Sequence, residues 1–212
     1  MRAGASVRIF DGKGREHQAQ LLEVTRSGIT LGIEASLTTT PESHLQITLL
    51  QGVARNDHMD LVLQKAVELG VQTIQPLWMQ RSQTRLQGER LEKRSNHWQG
   101  VIISACEQCG RATIPQLLLT ADYSSGISNE TSNGELRLML QPQAKSCLRE
   151  LEKPAGRIAI LVGPEGGLTP EEQALAGAAG FTGIRTGPRV LRTETAALAA
   201  LAGIQTLWGD FS

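Results

Sequence analysis

Two glycine-bearing turns near the carboxyl end hold the residues best suited to chemistry. In LVGPEGGLTPEE (Leu161 to Glu172), Gly163, Pro164, Gly166 and Gly167 interrupt an apolar run and can continue neither a strand nor a helix. Three glycines within five residues strip side chains from the backbone, so its amides can approach a flat ligand closely. In TGPRVLRTETAALAAL (Thr186 to Leu201), Gly187 and Pro188 make the second turn, and an alanine- and leucine-rich helix follows from Thr193. Thr193 reads as its N-cap and Glu194 as a favourable first-turn acid. Arg192 reads differently. A cation at a helix N-terminus is disfavoured, so it needs a carboxylate or a substrate oxygen as partner. Glu107, Gln108, Gly110 and Arg111 close an earlier helix, where glycine with a nearby arginine is also an ordinary helix stop.

Other chemistries fit less well. A phosphate-binding P-loop lacks its Lys-Ser/Thr after Gly167. Cys106 and Cys109 have the spacing of half a zinc site, but no second ligand pair accompanies them, and they read as thiols on a helix face. The four histidines show neither metal-ligand nor triad spacing, so no metal is expected. Lys65 and Glu68, three apart, read as an ion pair.

The elements that must position the turns alternate. Ile158 to Val162 is a strand, and Thr169, Pro170 and Glu171–Glu172 open a helix behind it. Phe181 to Arg185 is the strand before the second turn. The two turns are expected at the carboxyl ends of adjacent strands, where an open α/β sheet binds ligands. Upstream, LQITLL is a strand, Asp57 caps a helix ended by Gly70, and TIQPLW is a strand. A long helix covers Arg90 to Gln108, LRLMLQ is a strand, and a short helix lies near Cys147 to Leu151. This alternation predicts a mainly parallel α/β sheet covered by helices. The first residues differ: VRIFDGKGREHQAQLLEV is a hairpin with an Asp-Gly turn, and ITLGIE is a third strand. SLTTTPES (Ser36 to Ser43) reads as a linker and SSGISNETSNG (Ser124 to Gly134) as a surface loop.

GPEGGLTPEE followed by GPRVLRTETAAL resembles the SPOUT methyltransferases, and among them those that methylate N3 of a uridine in 16S ribosomal RNA. DHMDLVLQKAVELGVQTIQPLW (Asp57 to Trp78) and ISACEQCGRATIPQ (Ile103 to Gln116) extend the resemblance to nearly the whole chain. It implies a SPOUT domain at 41–212 with a C-terminal trefoil knot, an exception to the rule against knots, preceded at 1–40 by a small PUA-like β-barrel. It also implies S-adenosylmethionine (SAM) as cofactor and a homodimer formed through the knot. The cofactor pocket is then walled by Leu140 to Pro142, by Gly163, Pro164, Glu165, Gly166 and Gly167, and by Gly187 to Leu191. Val190 and Leu191 would pack on adenine, with Thr193 beside them. Arg192 and Arg111 would stabilise the uracil anion, and Glu194 or Glu107 would orient them or take the N3 proton. The alternatives are a SPOUT enzyme acting on a ribose 2′-hydroxyl and a non-catalytic RNA-binding assembly factor.

Net charge is zero over 212 residues, so bulk charge does not signal a nucleic-acid partner. Two local segments do. Arg2, Arg8, Lys13 and Arg15 against Asp11 leave +3, as do Arg81, Arg85, Arg90, Lys93 and Arg94 against Glu89 and Glu92. Such polarity suits ribosomal RNA phosphates in the small subunit. No apolar run reaches membrane-spanning length, and the first residues lack a signal-peptide core. Three cysteines are too few for a disulfide framework, and a cytoplasmic location is expected. The family carries roughly 25–35 residues, about one hairpin, ahead of the segment matching MRAGASVRIFDG. Either truncation or a misassigned start is expected, with an incomplete barrel.

Overall fold

The computed structural model describes residues 2–83, 85–128 and 134–211, and its contacts divide into two compact units. The smaller unit holds the residues up to Glu42 together with Cys106–Ile114. Its strands β1 (Ser6–Phe10), β2 (Glu16–Val24) and β3 (Ile29–Leu37) form an antiparallel sheet in that order. The Asp-Gly turn lies where the sequence places it. Asp11 Oδ1 accepts from the amides of Lys13 and Arg15 at 2.8 and 3.1 Å, and Oδ2 takes the Arg15 guanidinium at 2.7 Å. The Lys13 amide first, and then Arg15, hold the Asp11 carboxyl down at about 2. β3 runs through Leu37, so the polar linker is shorter than predicted.

The larger unit holds Ser43–Ala105 and the residues from Pro115 onward. In chain order it has β4 (Gln46–Gly52), α1 (Asn56–Glu68), β5 (Thr73–Trp78) and α2 (Gly88–Cys109, whose last turn belongs to the smaller unit). Then come β6 (Gln116–Leu117), β7 (Ala121–Asp122), α3 (Tyr123–Ile127), β8 (Leu136–Leu140) and β9 (Ser146–Cys147). A 3₁₀ turn at Leu148–Glu150 leads to β10 (Arg157–Val162), α4 (Pro170–Ala178), β11 (Thr182–Arg185) and α5 (Thr193–Trp208). The sheet order is β6-β5-β4-β10-β8-β11-β9, with β7 also on β5, and every pairing is parallel. Parallel strands covered on both faces need unbroken apolar runs. Ile47, Leu49, Ile74, Leu138, Ile158 and Ile160 meet that need and are fully buried.

Four expectations are corrected. β10 and β11 are not adjacent, because β8 lies between them, with Met139 opposite both Leu161 and Gly183. Strand neighbours are set by packing across the sheet, which alternation along the chain does not encode. The helix α1 is capped by Arg55 rather than Asp57, with no side-chain cap bond. The N-cap of α5 is Arg192, so Thr193 is freed from capping. Finally, Tyr123–Ile127 is a buried helical turn, not a surface loop. Tyr123 and Ile127, four apart, reach the core together, and the Tyr123 hydroxyl donates to the Glu172 carbonyl at 2.6 Å. The rest of that predicted loop, 129–133, lies outside the described residues.

Candidate active site

The carboxyl ends of β8, β10 and β11 open on one cavity of about 440 Å³ in the larger unit. That is an ordinary size for a small-molecule site. β8 contributes Leu140 and Pro142, the turn after β10 contributes Gly163, Pro164, Glu165, Gly166 and Gly167, and the segment after β11 contributes Gly187, Val190 and Leu191, with Thr193 at the start of α5. All eleven positions expected at the cofactor thus line a single cavity. The intervening strand β8 is what brings the third wall between the two turns.

Hydrogen bonds fix the turns against each other. The Thr193 hydroxyl donates to the Gly163 carbonyl at 2.5 Å and accepts from Gln51 Nε2 at 3.1 Å. The same Gln51 nitrogen donates to the Gly52 carbonyl at 3.0 Å, so the ends of β4 and β10 and the start of α5 meet at one buried hydroxyl. Gly167 has φ +67°, a left-handed conformation that favours glycine, and its amide closes the turn onto the Pro164 carbonyl at 2.8 Å. Behind the turn, α4 starts with a full capping box. Thr169 and Glu172 exchange bonds of 2.9 and 3.2 Å, and the second Glu172 oxygen accepts the Gln80 amide at 2.8 Å. Glu172 is therefore buried with its acceptors in use.

Glu165 is held on its outer side. Its Oε1 accepts the Arg55 amide at 2.8 Å and lies 3.1 Å from His58 Nδ1. Partial burial pushes its pKa up, but the Arg55 amide, its own amide and His58 together outweigh burial and leave it below the ordinary value.

The other candidate residues fall in different places. Arg192 is exposed, flanked in sequence by cavity-lining Leu191 and Thr193, and makes no ion pair among the described residues. Glu194 is 7 % exposed, and its Oε2 has no hydrogen-bond partner among the described residues. Arg111 belongs to the smaller unit, where its side chain takes both oxygens of Glu42 at 3.2 and 2.6 Å. Glu107 is exposed in the same unit. Among the basic residues, Arg8 pairs with Glu16 at 3.1 Å and Arg85 pairs with Asp122, while Arg2 and Lys13 are exposed. Arg81, expected at RNA, lies over the glycine turn. It lines the cavity and donates to the Gly166 carbonyl at 2.8 Å. No local pattern around Arg81 or Gln51 signals this packing or the Gln51 contact, because each depends on residues far apart in the chain.

Comparisons with known proteins place this geometry. A family model described as RNA methyltransferase domain matches residues 41–205. Ribosomal RNA small subunit methyltransferase E of Buchnera aphidicola subsp. Schizaphis graminum is 32% identical over 212 residues, covering 100% of this chain and 86% of the relative. The chain belongs to the ribosomal RNA small subunit methyltransferase E family. The family member from Neisseria gonorrhoeae, solved bound to S-adenosyl methionine, is 41% identical with a TM-score of 0.93 over 100% of this chain and 87% of that one. A Legionella pneumophila protein solved with the bound cofactor SAM is 36% identical, with a TM-score of 0.94 over 100% of this chain and 86% of that one.

Proposed function

We propose that this chain transfers a methyl group from SAM to N3 of a uridine in 16S ribosomal RNA of the small subunit. The observation that carries the reading is the single cavity formed by both glycine turns and the end of β8. Its residues fit the cofactor. The turn at 163–167 presents backbone to the cavity, Leu140, Val190 and Leu191 give apolar surface for a flat ring, and Gln141, Gln143 and Thr186 offer polar groups at its rim. When bound, SAM supplies an electrophilic methyl on a sulfonium.

The remaining work falls to the chain. Uracil N3 carries a proton at neutral pH and must lose it before or during attack. Arg192 has a guanidinium with no carboxylate partner among the described residues, and a uracil carbonyl oxygen is the partner proposed for it. Glu194 has a buried oxygen with no hydrogen-bond donor among the described residues, which suits a group that accepts a proton or orients the one that does. Arg111 is already engaged by Glu42, so any role for it or Glu107 at the uracil ranks behind these two.

RNA attachment is proposed through basic surface. Arg90, Lys93, Arg94 and His97, at the spacing of one face of α2, line a groove shared with Asn56 and Asp60 of α1. Arg2, Lys13 and Arg81 would add phosphate contacts. The segment from β10 through α5 is proposed to tie the trefoil knot, and β1 to β3 to be part of a PUA-like barrel, with domains dividing near residue 40. A homodimer in the cytoplasm, joined through α2 and α5, completes the proposal. The exposed Ala199 and Leu207 on α5 support such an interface. Mass spectrometry of nucleosides from small-subunit RNA tests the reaction. A deletion strain should lack one N3-methyluridine that the intact gene restores, and restoration of a 2′-O-methyl nucleoside instead would refute the assignment. Light scattering tests the dimer.

A further inference from the structure

Residues 79–82 follow β5 as a closed turn. The Ser82 amide donates to the Met79 carbonyl at 3.0 Å, and the Met79 amide donates to the Ser82 hydroxyl at 3.1 Å. Between them the Gln80 amide is held on the buried Glu172 carboxylate at 2.8 Å. The backbone on both sides of Arg81 is therefore fixed against the start of α4, whatever its side chain does. From that position the Arg81 stem packs on Gly166, where an added Cβ would come within 2.9 Å of Arg81 Cβ. Its Nη1 reaches the Gly166 carbonyl at 2.8 Å.

That bond uses one of the five N–H groups of the guanidinium. Arg81 is exposed and forms no ion pair among the described residues. The other charged residues lining the cavity are Arg185, Arg189 and Glu165, so the lining carries +2 and attracts an anion. A guanidinium is a planar fork. It can keep a carbonyl on one nitrogen and hold a phosphate on the others.

We infer that Arg81 is a positioning residue that bridges the glycine turn to a phosphate of the RNA substrate, so that RNA and cofactor each tighten the binding of the other. The inference rests on the proposed attachment of RNA through basic surface. Without RNA, one solvated hydrogen bond holds the turn and contributes little. A phosphate on the remaining nitrogens immobilises the guanidinium, so keeping the Gly166 bond then costs less order. The cofactor turn stiffens, and linkage makes the effect reciprocal.

The test measures that mutual gain in the full chain. The probes are S-adenosylhomocysteine, which has no methyl to transfer, and unmethylated small ribosomal subunits. The unaltered chain should bind S-adenosylhomocysteine about tenfold more tightly with saturating subunits than alone. Arg81→Ala should weaken S-adenosylhomocysteine alone only about threefold, and the gain from subunits should vanish. The salt dependence of its subunit binding should fall by about one phosphate. Arg81→Lys keeps the charge without the fork, so it should retain the salt dependence and lose most of the gain. Should the alanine variant unfold, the lysine variant carries the test alone. An R81A chain that loses affinity equally with and without subunits overturns the inference and places the guanidinium on the cofactor alone. A lysine variant with the full gain overturns the bridge as well. An unaltered chain that binds both probes without mutual gain overturns the inference and leaves the RNA reading standing, whereas failure to bind subunits at all refutes the two together.

Discussion

Thr193 and Gly163 are thirty residues apart, and a hydroxyl-to-carbonyl bond of 2.5 Å joins them at the edge of the cavity. The hydroxyl also accepts from Gln51, so its removal strands a carbonyl and an amide at once. Thr193→Val should destabilise the fold by about 1–3 kcal/mol and weaken SAM binding, whereas Thr193→Ser should be near the unaltered chain. Urea unfolding and calorimetry check both, and a fully stable valine variant would count against the joint.

Gly166 faces Arg81. A Cβ there would lie 2.9 Å from Arg81 Cβ and 3.2 Å from its Cδ, the stiff base of that side chain rather than its free end. Gly166→Val should abolish SAM binding by displacing the turn. Adding Arg81→Gly to it should recover part of the affinity by making room, and no recovery would mean the turn fails for another reason.

Arg192 caps α5 without a side-chain bond and lies outside the folded core. Arg192→Ala should leave thermal stability and SAM affinity intact while lowering methyl transfer to small subunits, the pattern of a group used in the transition state. Parallel loss of affinity and turnover would reassign it to the cofactor pocket.

The Glu165 carboxyl is held below its ordinary value. A depressed value means that its contribution is complete above the unfolded carboxyl value of about 4.3 and is lost as pH falls through the lower folded one. SAM affinity should accordingly decline on acidification below that range, and Glu165→Gln should flatten the decline. An identical acid limb in the variant would show that another group governs it.

Burial pushes the Cys106 thiol up to about 11, whereas Cys109 is exposed. Iodoacetamide at pH 7.5 should label Cys109 long before Cys106, as peptide mass spectrometry will read. Equal labelling would show that the end of α2 opens readily.

Much of the fold was legible from local patterns. Apolar runs marked β4, β5, β8 and β10, and glycine marked the turns, because a buried strand and a tight turn each constrain their own residues. The cavity walls followed from the resemblance and were brought together as expected. What stayed hidden depends on residues far apart. His58 and Glu165 are separated by 107 positions, Gln51 and Thr193 by 142, and nothing near any of them signals the meeting. The insertion of β8 between β10 and β11 belongs to the same class. The Tyr123 turn was hidden differently, since serine and glycine masked two apolar residues one helical turn apart.

The position of β10 in the sheet also orders events during synthesis. β10 pairs with β4 on one side and β8 on the other, yet it leaves the ribosome more than a hundred residues after β4 begins. Until Arg157 to Val162 emerge, each of those strands presents an open edge to whatever lies nearby. Until then β4 is paired only with β5, and β8, made shortly before β10, has no neighbour because β11 follows later still, and this is the stage at which chaperone binding or premature strand pairing would act. Only the last quarter of the chain closes that gap, and the same stretch supplies the two glycine turns. Completion of the sheet and assembly of the pocket are thus a single late step.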